Sequence, residues 1–245
     1  MGRKYKTSPI IEALCEFRFD PSSRWDMTIP GLIYAEVKGT FERTRTAKVL
    51  ETALIPQEKG IQQQFIASER SQLLRADEKA LMQVGEHILV VNRLKPYDSW
   101  AEFLPLIQQG FGAYCGVAKP RGVARIGLRY INRVEIPSET LRLDDYFLFH
   151  PATPPALSQS LAAFICGVQV AYSEPQSMLK VELTNTTDAE SSSAFMLDLD
   201  HFTFSPCDPA FDDVFAWIER AHSRVEAAFE ACITDQLRDI FGEEK

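Results

Sequence analysis

From Ile11 to Phe19, apolar and polar side chains alternate: Ile11, Ala13, Cys15, Phe17 and Phe19 fall on one side of an extended chain, and Glu12, Leu14, Glu16 and Arg18 on the other. A period of two with one apolar face predicts a β-strand that buries half its side chains. Pro21 and the serines after it end the strand, and a short helix is expected within 25–40. Three strand-like runs follow at 62–70, 71–85 and 87–95, the middle one bending near Asp77 and Glu78. Their mix of β-branched, aromatic and alternating polar residues favours antiparallel neighbours joined by short turns. The pattern then changes period. Trp100, Phe103, Leu104, Ile107 and Phe111 recur at helical spacing behind Ser99, a candidate N-cap, and Pro105 lies close enough to the start to be tolerated.

The second half runs through the same order. A strand is expected over 123–137, a short helical piece over 141–149, and strands near 162–173, 177–187 and 193–204. A closing helix is predicted with Asp208 as cap, Pro209 at its first position and a stripe of Phe211, Phe215, Ile218, Val225, Phe229 and Ile233. The predicted fold is therefore α+β, a duplicated strand–helix–three strands–helix unit. Its antiparallel sheet carries the long helices on one face, in the manner of the TATA-binding-protein saddle or a helix-grip fold. The two copies, 1–120 and 121–245, are expected to form a single structural unit, because the short apolar junction at 117–122 is no free linker.

Polar positions carry the chemistry. In the strand over 125–137 the outward set is Arg125, Gly127, Arg129, Ile131, Arg133 and Glu135, opposite a core set led by Ile126, Leu128 and Tyr130. At about 3.3 Å per residue, Arg125 and Arg129 stand about 13 Å apart, too far for three arginines to grip one phosphate. The spacing suits either a ladder of cross-strand ion pairs or an extended anionic ligand or acidic partner. Glu16, Arg18, Lys180 and Glu182 lie on the matching polar sides of their strands and complete this tentative ligand- or partner-binding set. Alternating acids and bases on strands also evoke metal-dependent phosphohydrolases, the alternative function considered.

Composition narrows the rest. A net charge of -8 argues against non-specific wrapping of nucleic acid, although a local basic groove is compatible with it. No apolar run reaches the roughly 20 residues of a membrane span. The five cysteines, odd in number and without a CxxC pair, read as reduced thiols of a cytoplasmic protein. His87, His150, His201 and His222 are scattered, and Asp198 and Asp200 are expected to face away from His201. No catalytic motif, metal site or cofactor is predicted; a protein partner or homo-oligomer is. Trp25, Trp100 and Trp217 are expected to be packing anchors.

The stretches "PIIEALCEFRF" and "LRYINRVEIP" resemble the two signatures of an uncharacterised, sporadically distributed bacterial family of about this length. That resemblance implies no reaction and no ligand. The patchy distribution of such families suggests a defence or toxin–antitoxin-like locus.

Overall fold

The computed structural model describes residues 3–57, 60–137, 141–152, 154, 162–173, 176–186, 193–203 and 211–242. The elements run β1 (Ile10–Phe19), α1 (Ile29–Val37), β2 (Arg43–Gln57), β3 (Gly60–Leu74), β4 (Ala80–Gly85), β5 (Ile88–Leu94), α2 (Trp100–Ala118), β6 (Val123–Ile136), α3 (Leu143–Tyr146), β7 (Ile165–Ser173), β8 (Gln176–Thr186), β9 (Ser193–Thr203), α4 (Phe211–Cys232) and α5 (Asp235–Phe241). The fold is α+β, and the strands form one antiparallel sheet in the order β2-β3-β4-β5-β1-β6-β9-β8-β7. The two strands that begin the halves, β1 and β6, lie side by side at its centre, with Cys15 opposite Leu128.

Four strands, not three, follow α1. The missed one is β2, whose sequence RTRTAKVLETALIPQ lacks the apolar alternation of a half-buried strand because it is an edge strand. The runs at 62–70 and 71–85 were also divided wrongly. β3 continues from Gly60 to Leu74, and the turn at Asp77 and Glu78 separates it from β4. Glu78 takes a positive φ of 58° there, and Asp77 accepts from the Lys79 amide at 3.0 Å. The chain closes on two helices instead of one, because Thr234 breaks α4 from α5 and caps the latter. The predicted cap at Asp208 and Pro209 lies outside the described residues.

Both long helices cover the same sheet face. Phe111 of α2 meets Phe17 of β1 at 4.7 Å and Phe215 of α4 at 5.6 Å between ring centroids. Phe19 stacks on Tyr114 at 4.2 Å. Gly110 lets α2 settle this deeply, since a Cβ there would stand 2.8 Å from Met82 Cε and 2.9 Å from Val91 Cγ2. The helix starts at Ser99, whose hydroxyl accepts from the Glu102 amide, and runs through Pro105. Trp217 is buried, and Trp25 and Trp100 pack against the core, as expected of anchors. Four of the five cysteines lie among the described residues, all as free thiols. Among the described residues, no helix is long and apolar enough to cross a membrane.

Candidate functional site

Among the described residues the other sheet face carries no helix, and every residue of the predicted set lies on it. Alternation on β6 is as expected: Ile126, Leu128, Tyr130, Asn132, Val134 and Ile136 are buried, and the arginines point to the open side. Their partners come largely from β9, which lies between β6 and β8. Arg129 forms a two-pronged pair with Asp198, Nε to Oδ1 at 2.7 Å and Nη2 to Oδ2 at 2.5 Å. Arg125 donates to Glu16, reaches Asp200 at 3.5 Å, and covers the Phe202 ring at 4.6 Å.

The remaining pairs are local. Arg18 donates to Glu16 at 2.8 Å, Arg133 to Glu135 at 2.9 Å, and Lys180 reaches Glu182 at 2.8 Å. Burial pushes the Glu16 carboxyl up, but Arg125 and Arg18 outweigh it and hold the carboxyl below its ordinary value. At Asp200 burial prevails over Arg125 and Arg129, and its carboxyl is raised. The hydrogen bonds that Arg129 donates to Asp198 outweigh burial and raise its pKa above the ordinary value.

On the other side of β1 the lattice continues through amides. Arg45 Nε donates to Gln72 at 2.7 Å, Gln72 to Gln83 at 3.4 Å, Gln83 to Asn92 at 3.1 Å, and Asn92 to Glu12 at 2.6 Å. This row crosses β2, β3, β4, β5 and β1, running from a cation to an anion with each amide donating in the same direction. The face is thus a self-compensated lattice. Glu16 and Glu182, which a shared metal would bring together, stand three strands apart, about 14 Å at the sheet's strand spacing. Among the described residues, no three His, Cys, Asp or Glu side chains converge on a metal-sized point. His201 faces the covered side, away from Asp198 and Asp200 as expected.

The feature that sequence reasoning passed over is β7. It is the last strand of the sheet, and α4 packs mainly on β6 and β9, reaching β7 through Arg224. Val168 and Val170, on the helix side of the sheet, are therefore 45% and 43% exposed, and Ile165 on the other side is 77% exposed. Its one large inward anchor is Tyr172, stacked on His201 at 5.3 Å and covered by Arg224 at 4.2 Å. The signal was available: no charged residue occurs from Pro151 to Ser173, in a chain that is 24% charged. Natural edge strands are usually blunted by lysine, proline or a bulge, and this one is not. The proline-rich segment 150–159 and the polar segment 184–193 lie partly outside the described residues. No family model matches the chain, and no curated protein matches it significantly.

Proposed function

We propose that this chain is a non-catalytic interaction protein that associates by strand addition along β7, and that the strand it takes up is the β7 of a second copy. The observation that carries this is the uncharged edge with Ile165, Val168 and Val170 exposed. An antiparallel two-fold about Gln169 sets Val168 against the second copy's Val170 and Cys166 against its Tyr172, so each apolar contact forms twice. The main-chain groups of an edge strand supply the affinity in such pairing, and alternate side chains supply the register. The open lattice is a weaker candidate for an extended anionic ligand, because its cations already face carboxylates.

The two halves fit a duplicated unit. β1 and β6 pair at the centre, the last strand of each half lies beside its first, and a long helix follows each set. On that basis the sheet is a saddle of the TATA-binding-protein or helix-grip kind, with β7 as the edge used for assembly. A role in a bacterial defence or toxin–antitoxin-like locus accords with such an assembly protein.

The test is sedimentation of the full chain across a range of concentrations. A two-fold dimer that Val168→Lys converts to a folded monomer is the expected result. A wild-type chain that stays monomeric at high micromolar concentration overturns the second copy as occupant. A dimer indifferent to the lysine overturns β7 as the interface.

A further inference from the structure

On the covered side of the sheet a cavity of about 630 Å³ opens between the start of α2, the middle of α4 and the segment leading into β1. Its size falls within the range of small-molecule sites, roughly 300–1,000 Å³. Tyr130 and Asn132 of β6 line it from below, and Tyr97, Trp100, His222 and Glu226 from the sides. Asn132 is 1% exposed, and its Nδ2 donates to the Leu197 carbonyl at 3.0 Å. Its Oδ1 is buried and has no hydrogen-bond partner among the described residues. A buried acceptor left unpaired costs roughly 1–3 kcal/mol, so a native structure that keeps one invites a donor.

Two of the wall donors are committed elsewhere. The Trp100 indole N–H donates to Glu219 at 3.1 Å, and the Tyr5 hydroxyl to Glu230 at 2.7 Å. Burial lowers His222 to about 4, so its ring is neutral at pH 7. His222 Nδ1 shares a hydrogen bond of 3.2 Å with the Tyr130 hydroxyl, which shares another of 3.1 Å with the Tyr97 hydroxyl. On its other side the His222 ring has Nε2 3.4 Å from Glu226 Oε1. The polar groups of Tyr97, Tyr130 and His222 are thus engaged with one another, and Glu226 stands at the end of the row. Asp98 is held by Arg93, and Glu230 by Arg238 and, at the rim, Arg3. The lining thus includes Asn132 with its unpaired amide oxygen, the carboxylate of Glu226 and the aromatic rings of Tyr97, Trp100 and Tyr130, with Lys4 exposed at the mouth. Burial, together with the neighbouring Glu230 carboxylate, raises the Glu226 carboxyl above its ordinary value.

We propose that this cavity binds a small organic cation, an ammonium with an apolar or aromatic body that gives one N–H to Asn132 Oδ1 and another to Glu226. Acceptors and ring faces both favour such a head, and rings attract a cation through their negative faces. The site is separate from the β7 edge and stands or falls without it.

Titration of the full chain with phenethylammonium, agmatine and putrescine, followed by calorimetry and by the Trp100 indole resonance, tests the proposal. Saturable binding of at least one amine is expected, with none for phenylacetate or N-acetylphenethylamine. Glu226→Gln, on a side chain open to solvent, weakens that binding at least tenfold, and Glu182→Gln on the opposite face leaves it unchanged. Nuclear Overhauser contacts between the bound amine and the Tyr97 and Trp100 rings place it independently of any variant. Failure of all three amines to bind overturns the site, as does equal binding of phenylacetate or an unchanged affinity in Glu226→Gln.

Discussion

The two edges of the sheet are built on opposite principles. At one end β2 carries Arg43, Arg45, Lys48, Glu51 and Pro56, and at the other β7 carries no charge and no proline. Arg45 is tied inward through four successive side-chain hydrogen bonds to Glu12 on the central strand. Among its side chains, β7 is tied inward by Tyr172 against His201 and Arg224. Charge on an edge strand discourages pairing with another chain because its partner would have to bury or oppose it. One end of the sheet is thus closed to further strands by chemistry, and the other end is left open.

The sharpest way to break the contrast is to give β7 the chemistry of β2. Val168→Lys with Val170→Lys places like charges against each other across the two-fold. The dimer is expected to weaken on the order of 1,000-fold, roughly 4 kcal/mol, in analytical ultracentrifugation. The monomer's own stability should move by no more than about 0.5 kcal/mol, because both valines are largely exposed. A dimer constant unchanged by both lysines would mean that the open edge is not where the chains meet.

Acid is the next lever, and it acts on the β7 side. His201 sits beside the Arg224 cation, with Ser177 Oγ at 2.9 Å from its Nε2 and Arg224 donating to the same hydroxyl at 3.0 Å. Burial, aided by Arg224, lowers its pKa from 6.5 to about 4. The folded chain therefore binds fewer protons here than the unfolded chain between those values. This contribution to stability is complete above pH 6.5 and is lost as pH falls towards 4, by roughly 3 kcal/mol. Urea melts of the wild type and His201→Gln across this window should differ in slope, the variant being flatter. The raised carboxyls of Asp200 and Glu226 act with the opposite sign but are common to both chains. Parallel pH profiles would show that His201 does not titrate with unfolding.

A smaller effect is expected at the centre of the lattice. Arg129→Ala leaves Asp198, which is 9% exposed, without its two-pronged donor. Allowing for the solvent exposure of the guanidinium, the cost is about 2 kcal/mol, reduced by salt, and is read from the shift in the denaturation midpoint. Because Arg129 is distant from both edges, the dimer constant should stay as it is. Weaker association in this variant would make the lattice part of the interface.

Much of this was legible in the residues because it is local. The bounds of β6, its two faces and the helical stripe of α2 follow from period and caps alone. The partners of the arginines were not, because they depend on strand order. Lys180 and Glu182 share the polar face of the arginines as expected, but β9 lies between their strand and β6 and brings Asp198 and Asp200 beside the arginines instead. The cavity was hidden for the same reason: Tyr97, Asn132 and Glu226 come from a loop, a central strand and a late helix. β2 escaped because RTRTAKVLETALIPQ shows no period of two to read. β7 was recognised as a strand, but its lack of charge is a statement about neighbours, and strand period alone says nothing of neighbours.

The smallest expected effect tests the tethering of β2. Gln83→Ala interrupts the amide row at its middle, removing the acceptor of Gln72 and the donor to Asn92 Oδ1. Asn92 is buried, so its Oδ1 is left without that donor at a cost of about 1 kcal/mol. Loss of one link in a chain of polarised hydrogen bonds weakens the links on either side. Hydrogen exchange should therefore rise across the amides of β2 and β3 near Arg45 and Gln72, and remain at its wild-type rate in β7 and β8. Equal acceleration at both ends of the sheet would show that the row stabilises the sheet globally and does not tether one edge. An unchanged rate at β2 would mean that its inter-strand ladder with β3 suffices. The charged edge would then be held by backbone pairing alone, as β7 is paired to β8, and the two edges would differ only in their chemistry towards other chains.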